Sequence, residues 1–268
     1  MKQDDAKGAS VLIDTHTHLD DEAFDDCRDD VVERARQAGV STMVVVGTTA
    51  DASQKCVEVA QSYDGLFAAV GIQPNYVHEA LDGDWQRVVD MVKLPKVVAL
   101  GETGLDRYWD YAPLPLQQDY FDRHLRLSQA IDVPFIVHMR DSGDDIADML
   151  EEARRRGPLR GVMHSFTGDV TLAKRCLDLG LYLSFAGMVT FKKSQDLRDV
   201  AAIVPNDRLL VETDCPYLSP EPVRGKRPNE PAYVVHTAAC LAKVRGTSCD
   251  VLAEQTAANS RRLFDRIK

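Results

Sequence analysis

The chain has 268 residues, 44% hydrophobic and 28% charged, with 32 Lys+Arg against 42 Asp+Glu and a net charge of −10. That balance is ordinary for a folded globular protein and excludes disorder and low complexity. It also argues against a broad nucleic-acid-coating surface, while leaving room for a local cationic pocket. No run reaches the roughly 18 apolar residues that a membrane-spanning helix needs. The polar start MKQDDAKGAS lacks the apolar stretch of a secretory signal. Six scattered cysteines (Cys27, Cys56, Cys176, Cys215, Cys240 and Cys249), with no CxxC pair, read as reduced thiols of a cytoplasmic protein.

In chain order, short apolar or β-branched runs alternate with longer amphipathic stretches. The expected strands are Val11 to Asp14, Val40 to Gly47, Leu66 to Ile72, Val97 to Glu102, Pro134 to His138, Leu159 to His164, Leu181 to Phe185 and Arg208 to Asp214. Near-continuous apolar runs bounded by Gly or Pro suit parallel strands buried on both faces. Helical patterns such as RDDVVERARQAG and DDIADMLEEARRRG close on Gly39 and Gly157, as glycines after helix ends do. A last amphipathic segment runs from about Cys249 to Ile267 and predicts an extra C-terminal helix. Eight strand-helix units in one chain of this length match a single (β/α)8 TIM barrel of the α/β class. Residues 1–10 are read as a flexible N-terminal segment and residues 11–268 as one barrel domain. A doubly wound open sheet would carry a phosphate-binding glycine fingerprint after its first strand, where this chain has DTHTHLD.

The unusual residues collect at strand ends. Strand one ends in Asp14, His16 and His18, which share a face because side chains repeat every two residues. Glu102, His138, His164 and Asp214 end strands four, five, six and eight, with Glu212 on the same face as Asp214. In a parallel barrel these ends converge on one rim, where the active sites of the fold are built. An HxH pair alone is a weak signal, and a lone His at a strand end is an ordinary polar residue. Four histidines and two carboxylates on one rim together form a ligand set for divalent ions, larger than one tetrahedral ion uses. Two ions sharing a carboxylate bridge would use all six. His124 and His236 fall in helical patterns and read as surface or packing residues; His78 lies in a loop and stays open.

The segments DTHTHLD, GETGLDRYWD, PFIVHMRDS, HSFTG, LLVETDCPYLSP and RGKRPNEPAYV resemble, in order and spacing, the TatD family of metal-dependent hydrolases. The resemblance runs from Leu12 to Phe264. It implies an amidohydrolase-like TIM barrel, dependence on divalent metal, and phosphodiester hydrolysis of DNA, including 3′-5′ exonuclease action. Carried over, it implies that His16, His18 and Asp214 hold one ion, that His138 and His164 hold the other, and that Glu102 bridges. The cofactors expected are two divalent ions, Mg2+, Mn2+ or Zn2+. Asp214 and Glu102 are then the catalytic candidates, with Asp214 placed to take the nucleophile's proton, and Glu212 either orients a ligand or forms a salt bridge inside the barrel.

One departure stands out. Where many family members carry Gly-x-His-Pro-His after strand three, this chain reads GIQPN, with Gln73 and Asn75 replacing both histidines. Amides can hydrogen-bond a phosphate or base but carry neither charge nor proton. Further substrate contacts are expected from Arg140, two residues past His138, and from Arg224 and Lys226 in the long loop that leaves the strand of Asp214; Lys192 and Lys193 are weaker candidates. The partner expected is DNA, as a single strand or frayed 3′ end, with no membrane and no obligate protein partner. The same centre also suits an aminoacyl-tRNA deacylase or a small-molecule amidohydrolase, because such metal chemistry is generic and the loops set specificity.

Overall fold

The computed structural model describes residues 11–267. The reading of residues 1–10 as a flexible segment falls outside them. Among the described residues, eight strands form one sheet in chain order: β1 (Leu12–Thr17), β2 (Val40–Val46), β3 (Leu66–Val70), β4 (Val97–Asp106), β5 (Phe135–Arg140), β6 (Gly161–Met163), β7 (Tyr182–Phe185) and β8 (Leu209–Val211). Each pairs in parallel with the next. The sheet curls until its first and last strands meet. A parallel bridge joins Thr17 to Cys215, Asp214 N–H donates to His16 O at 2.9 Å, and Thr15 Oγ1 donates to Val211 O at 3.0 Å. The result is a nearly closed TIM barrel.

Helices α1 (Arg28–Gln37), α2 (Ala50–Ser62), α3 (Asp84–Met91), α4 (Leu114–Ile131), α5 (Gly143–Arg156), α6 (Val170–Asp178), α7 (Gln195–Ile203) and α8 (Val234–Val244) each connect or follow a strand. Two of them start at side chains that satisfy free backbone N–H groups. Thr49 caps α2 through Ala52 N, and Asp169 caps α6 through Leu172 N. Gly39 after α1 adopts the left-handed conformation expected of it, at φ 86°. Gly157 after α5 instead continues in extended backbone, at φ 169°.

Two apolar layers follow from the two-residue alternation. Met43 and Val45 of β2 join the larger layer packed against the helices, whereas Val44 and Val46 join a smaller cluster with Ala69, Ala99, Ile136 and Leu210. Leu263, Phe264 and Ile267, at the end of α9 (Cys249–Leu263), complete that smaller cluster. α9 thus stoppers the end of the barrel where the strands begin. There Asn259 Nδ2 donates to Leu209 O at 2.9 Å, and Arg266 reaches Val97 O at 2.8 Å.

Strand bounds differ from expectation at the chemically important end. β4 runs four residues beyond Glu102, to Asp106, because β5 supplies a ladder for them: Thr103 pairs with Val137 and Asp106 with Arg140. Gly104 makes this possible, since a Cβ there would meet His138 O at 2.1 Å.

Candidate metal centre and active-site cleft

Six side chains meet where the strands end. His16 stands on β1 and His18 just past it; Glu102 is on β4 and His138 on β5; His164 and Asp214 follow β6 and β8. Nε2 of His16 and Nε2 of His18 are 3.2 Å apart. Asp214 Oδ1 lies 3.7 and 3.5 Å from them, and Glu102 Oε2 lies 3.7 and 3.9 Å from them. The other Glu102 oxygen, Oε1, faces His138 Nδ1 at 2.7 Å and His164 Nε2 at 3.1 Å. A single buried carboxylate therefore stands between two histidine pairs, one oxygen toward each.

The donor atoms converge in two triads, His16 with Glu102 and His164, and His16 with His18 and Asp214. His138 sits beside them, held between Glu102 and Asp106. Nδ1 of His16 is buried without a hydrogen-bond partner among the described residues. Imidazole nitrogens and carboxylate oxygens packed at these distances form a donor set that fits divalent cations.

Electrostatics point the same way. Burial opposes protonation of His18, but Asp214 and Glu102 overcome it and raise the imidazole to about 9. Burial likewise opposes charge on His164 and His138, and Glu102, with Glu212 and Asp106 respectively, raises both. Glu102 is buried too, yet the surrounding imidazoles of His164, His138 and His16 hold it well below the usual carboxylate range. Asp214 is lowered against the effect of burial by His18 and its neighbours. His16 moves the other way, lowered by burial and by the charge on His164.

A layer of partners fixes these groups. His18 Nδ1 donates to Val46 O at 2.9 Å. Glu212 Oε1 lies 3.2 Å from His164 Nδ1 and accepts Ser165 N–H at 2.6 Å, so its contact is with a cluster histidine. Asp14, on the same strand face as His16, turns away: it accepts Thr213 Oγ1–H at 2.6 Å and Thr213 N–H at 2.9 Å and braces β1 to β8. Burial raises it to about 8, against those hydrogen bonds. Asp106 was not among the residues singled out in the sequence. Its Oδ2 lies 3.0 Å from His138 Nε2 and accepts Asn75 Nδ2–H at 3.0 Å. Asp106 lies four residues past Glu102 on the part of β4 that only pairing with β5 extends.

Above the cluster opens a cleft of about 900 Å³. Gln73, Asn75 and Arg140 line it, as do His78, Trp109, Tyr111 and Tyr217. Gln73 Oε1 accepts Asn75 N–H at 2.8 Å. Arg224 and Lys226 do not line the cleft. Arg224 lies over the Phe191 ring at 3.9 Å, and Lys226 borders a separate hollow beside Arg34 and Glu230. Lys192 and Lys193 are likewise absent from the cleft lining. His124 is a packing residue: its Nε2 accepts Ile72 N–H at 3.2 Å, its Nδ1 donates to Tyr120 O at 2.7 Å, and burial lowers it to about 4. His236 is half-buried. All six cysteines are free thiols. No helix among the described residues is long and apolar enough to cross a membrane.

Residues 13–265 match the family described as TatD related DNase. The chain is 38% identical over 254 residues to the uncharacterized metal-dependent hydrolase YabD of Bacillus subtilis (strain 168), covering 95% of this chain and 99% of the relative. It is 34% identical over 257 residues to the 3′-5′ ssDNA/RNA exonuclease TatD of Klebsiella pneumoniae (strain 342), covering 94% and 97%. Among solved structures it is similar to YJJV, a TatD homolog from Escherichia coli K12, with a TM-score of 0.88 and 32% identity over 95% of this chain and 98% of the other. The chain belongs to the TatD family and is a metal-dependent hydrolase.

Proposed function

We propose that this hydrolase cleaves phosphodiester bonds of DNA from a single-stranded or frayed 3′ end, with two divalent cations on the floor of the cleft. The observation that carries the reading is the two-sided environment of Glu102, which offers one oxygen to His16 and His18 and the other to His138 and His164. His16, His18 and Asp214 would hold one cation, His138 and His164 the other, and Glu102 both. Cations bound there would activate water as the nucleophile and neutralise charge building on the phosphate oxygens. Asp214 accepts the proton of the attacking water. Arg140, the arginine on the cleft wall, contacts a non-bridging phosphate oxygen. Asn75 lines the cleft beside Gln73, and its Nδ2 donates to Asp106 Oδ2 at 3.0 Å. The name of the Klebsiella relative supports the substrate class. End-labelled single-stranded DNA assayed beside an aminoacyl ester and a lactone tests the reading. A descending ladder from the 3′ end is expected; faster turnover of either ester, with DNA left intact, overturns it.

Two expected results concern the metal. Because protons and cations compete for His18, His138 and His164, affinity for a divalent ion rises with pH up to about 9, the value for His18, by about tenfold per pH unit for each proton displaced. Titration calorimetry in buffers of different ionisation enthalpy should show proton release on binding; pH-independent affinity would contradict this arrangement. Asp106→Asn should weaken metal binding about 10- to 100-fold, because the carboxylate that orients His138 is gone. Metal titration of that variant checks it, and unchanged affinity would remove Asp106 from the centre.

A further inference from the structure

Resting on the reading of a nucleic-acid strand as substrate, we propose that Trp109 and Tyr111 form a shelf on which a nucleobase of that strand stacks. Both rings line the cleft, yet they remain 40% and 53% exposed. They lie parallel, with centroids 5.3 Å apart and planes 7° from each other. Each ring therefore fixes the other, Tyr108 stands edge-on to Trp109 with centroids 4.8 Å apart, and Tyr111 is the more exposed ring of the pair. Large aromatic surface left in water in this way marks a contact site rather than core.

The loop that carries the rings is anchored at both ends. Asp106 Oδ1 accepts the N–H groups of Tyr108 and Trp109 at 2.9 and 3.1 Å. Gln117 accepts Asp106 N–H at 2.9 Å and donates to Ala112 O at 2.9 Å, closing the base of the loop. The shelf is thus held in shape before any strand arrives, which lowers the ordering cost of binding. Asp106 also holds His138, so one carboxylate sets both the distance of the rings from the cluster and the orientation of a cluster histidine.

A cation stands beside the shelf. The Arg140 guanidinium lies 3.7 Å from the centre of the Tyr108 ring and 5.6 Å from that of Trp109. An aromatic face next to an arginine is the pairing that grips single strands without reading sequence, since every base has a π-face and every nucleotide a phosphate. The occupant is accordingly a base of any identity.

The chain has two tryptophans, and Trp85 packs against His124 and Tyr120 away from the cleft lining. Trp109 fluorescence therefore reports stacking independently of turnover. The metal-loaded enzyme is titrated with a short oligothymidylate carrying phosphorothioate linkages, and with an abasic oligomer of the same length and charge. Saturable quenching is expected with the first and little with the second. Trp109→Leu combined with Tyr111→Leu should weaken the base-bearing strand about tenfold or more and leave the abasic oligomer unchanged. Trp109→Phe, which keeps a ring, should stay within a few-fold of wild type. If the wild type binds and cleaves DNA while the double variant binds it equally well, or quenching is equal for both oligomers, the shelf is overturned and the nuclease reading stands. If the wild type neither binds nor cleaves any oligonucleotide, both readings fall together.

Discussion

Replacing Asp214 by Asn should lower hydrolysis of a single-stranded oligonucleotide by about a hundredfold or more, while strand binding and thermal unfolding of the metal-free protein should stay close to wild type. Asp214 sits just past β8 with its backbone in the left-handed region, at φ 56°. Asn tolerates that conformation as readily as Asp, and the bond from Asp214 N–H to His16 O uses only backbone atoms. The substitution therefore spares the fold and removes charge and proton acceptor together. The lost charge is the one that stands 3.5 Å from His18 Nε2 and 3.7 Å from His16 Nε2. Single-turnover kinetics with metal present at saturation separate loss of chemistry from loss of metal. An Asn variant within a few-fold of wild-type turnover would show that Asp214 is not the proton acceptor.

Chelation should abolish turnover, and Mg2+, Mn2+ or Zn2+ should restore it in an order that need not follow affinity, because the tightest-bound ion is not always the most competent. Thermal unfolding offers a readout separate from activity. A cation that binds only the folded barrel stabilises it by about 2.7 kcal/mol at a concentration one hundred times its Kd. At roughly 2–4 °C per kcal/mol for a chain near this size, that is a rise of about 5–10 °C in Tm. Protein verified to be metal-free that keeps full turnover, or whose Tm ignores added cation, would refute the assignment of Glu102 and its histidines as ligands.

The strands were legible because buried parallel strands leave unbroken apolar runs, and the cluster histidines were legible because they fall where those runs stop. Asp106 was not, for a related reason. The apolar run of β4 stops at Glu102, and what carries the strand onward is pairing with β5, a tertiary effect with no local signature in Thr103 and Gly104. Arg224 and Lys226 illustrate a second limit. Chain order tells which strand a loop leaves but not where its tip rests, and here the Phe191 ring receives Arg224. The GIQPN departure was visible at once, whereas its consequence needed coordinates: Asn75 donates to Asp106 Oδ2, the oxygen nearest His138 Nε2.

The seam between β1 and β8 has a temporal consequence. His16 comes from the first strand and Asp214 from just past the last, and the Asp14–Thr213 brace beside them spans 199 positions of sequence. During synthesis no ribosome-bound intermediate short of the eighth strand can offer the complete set of proposed ligands. Contacts this distant in sequence also form late, since loop closure must come first. With the proposed ligands, full metal occupancy would thus be a certificate of barrel closure, acquired only when the two ends of the sheet have found each other.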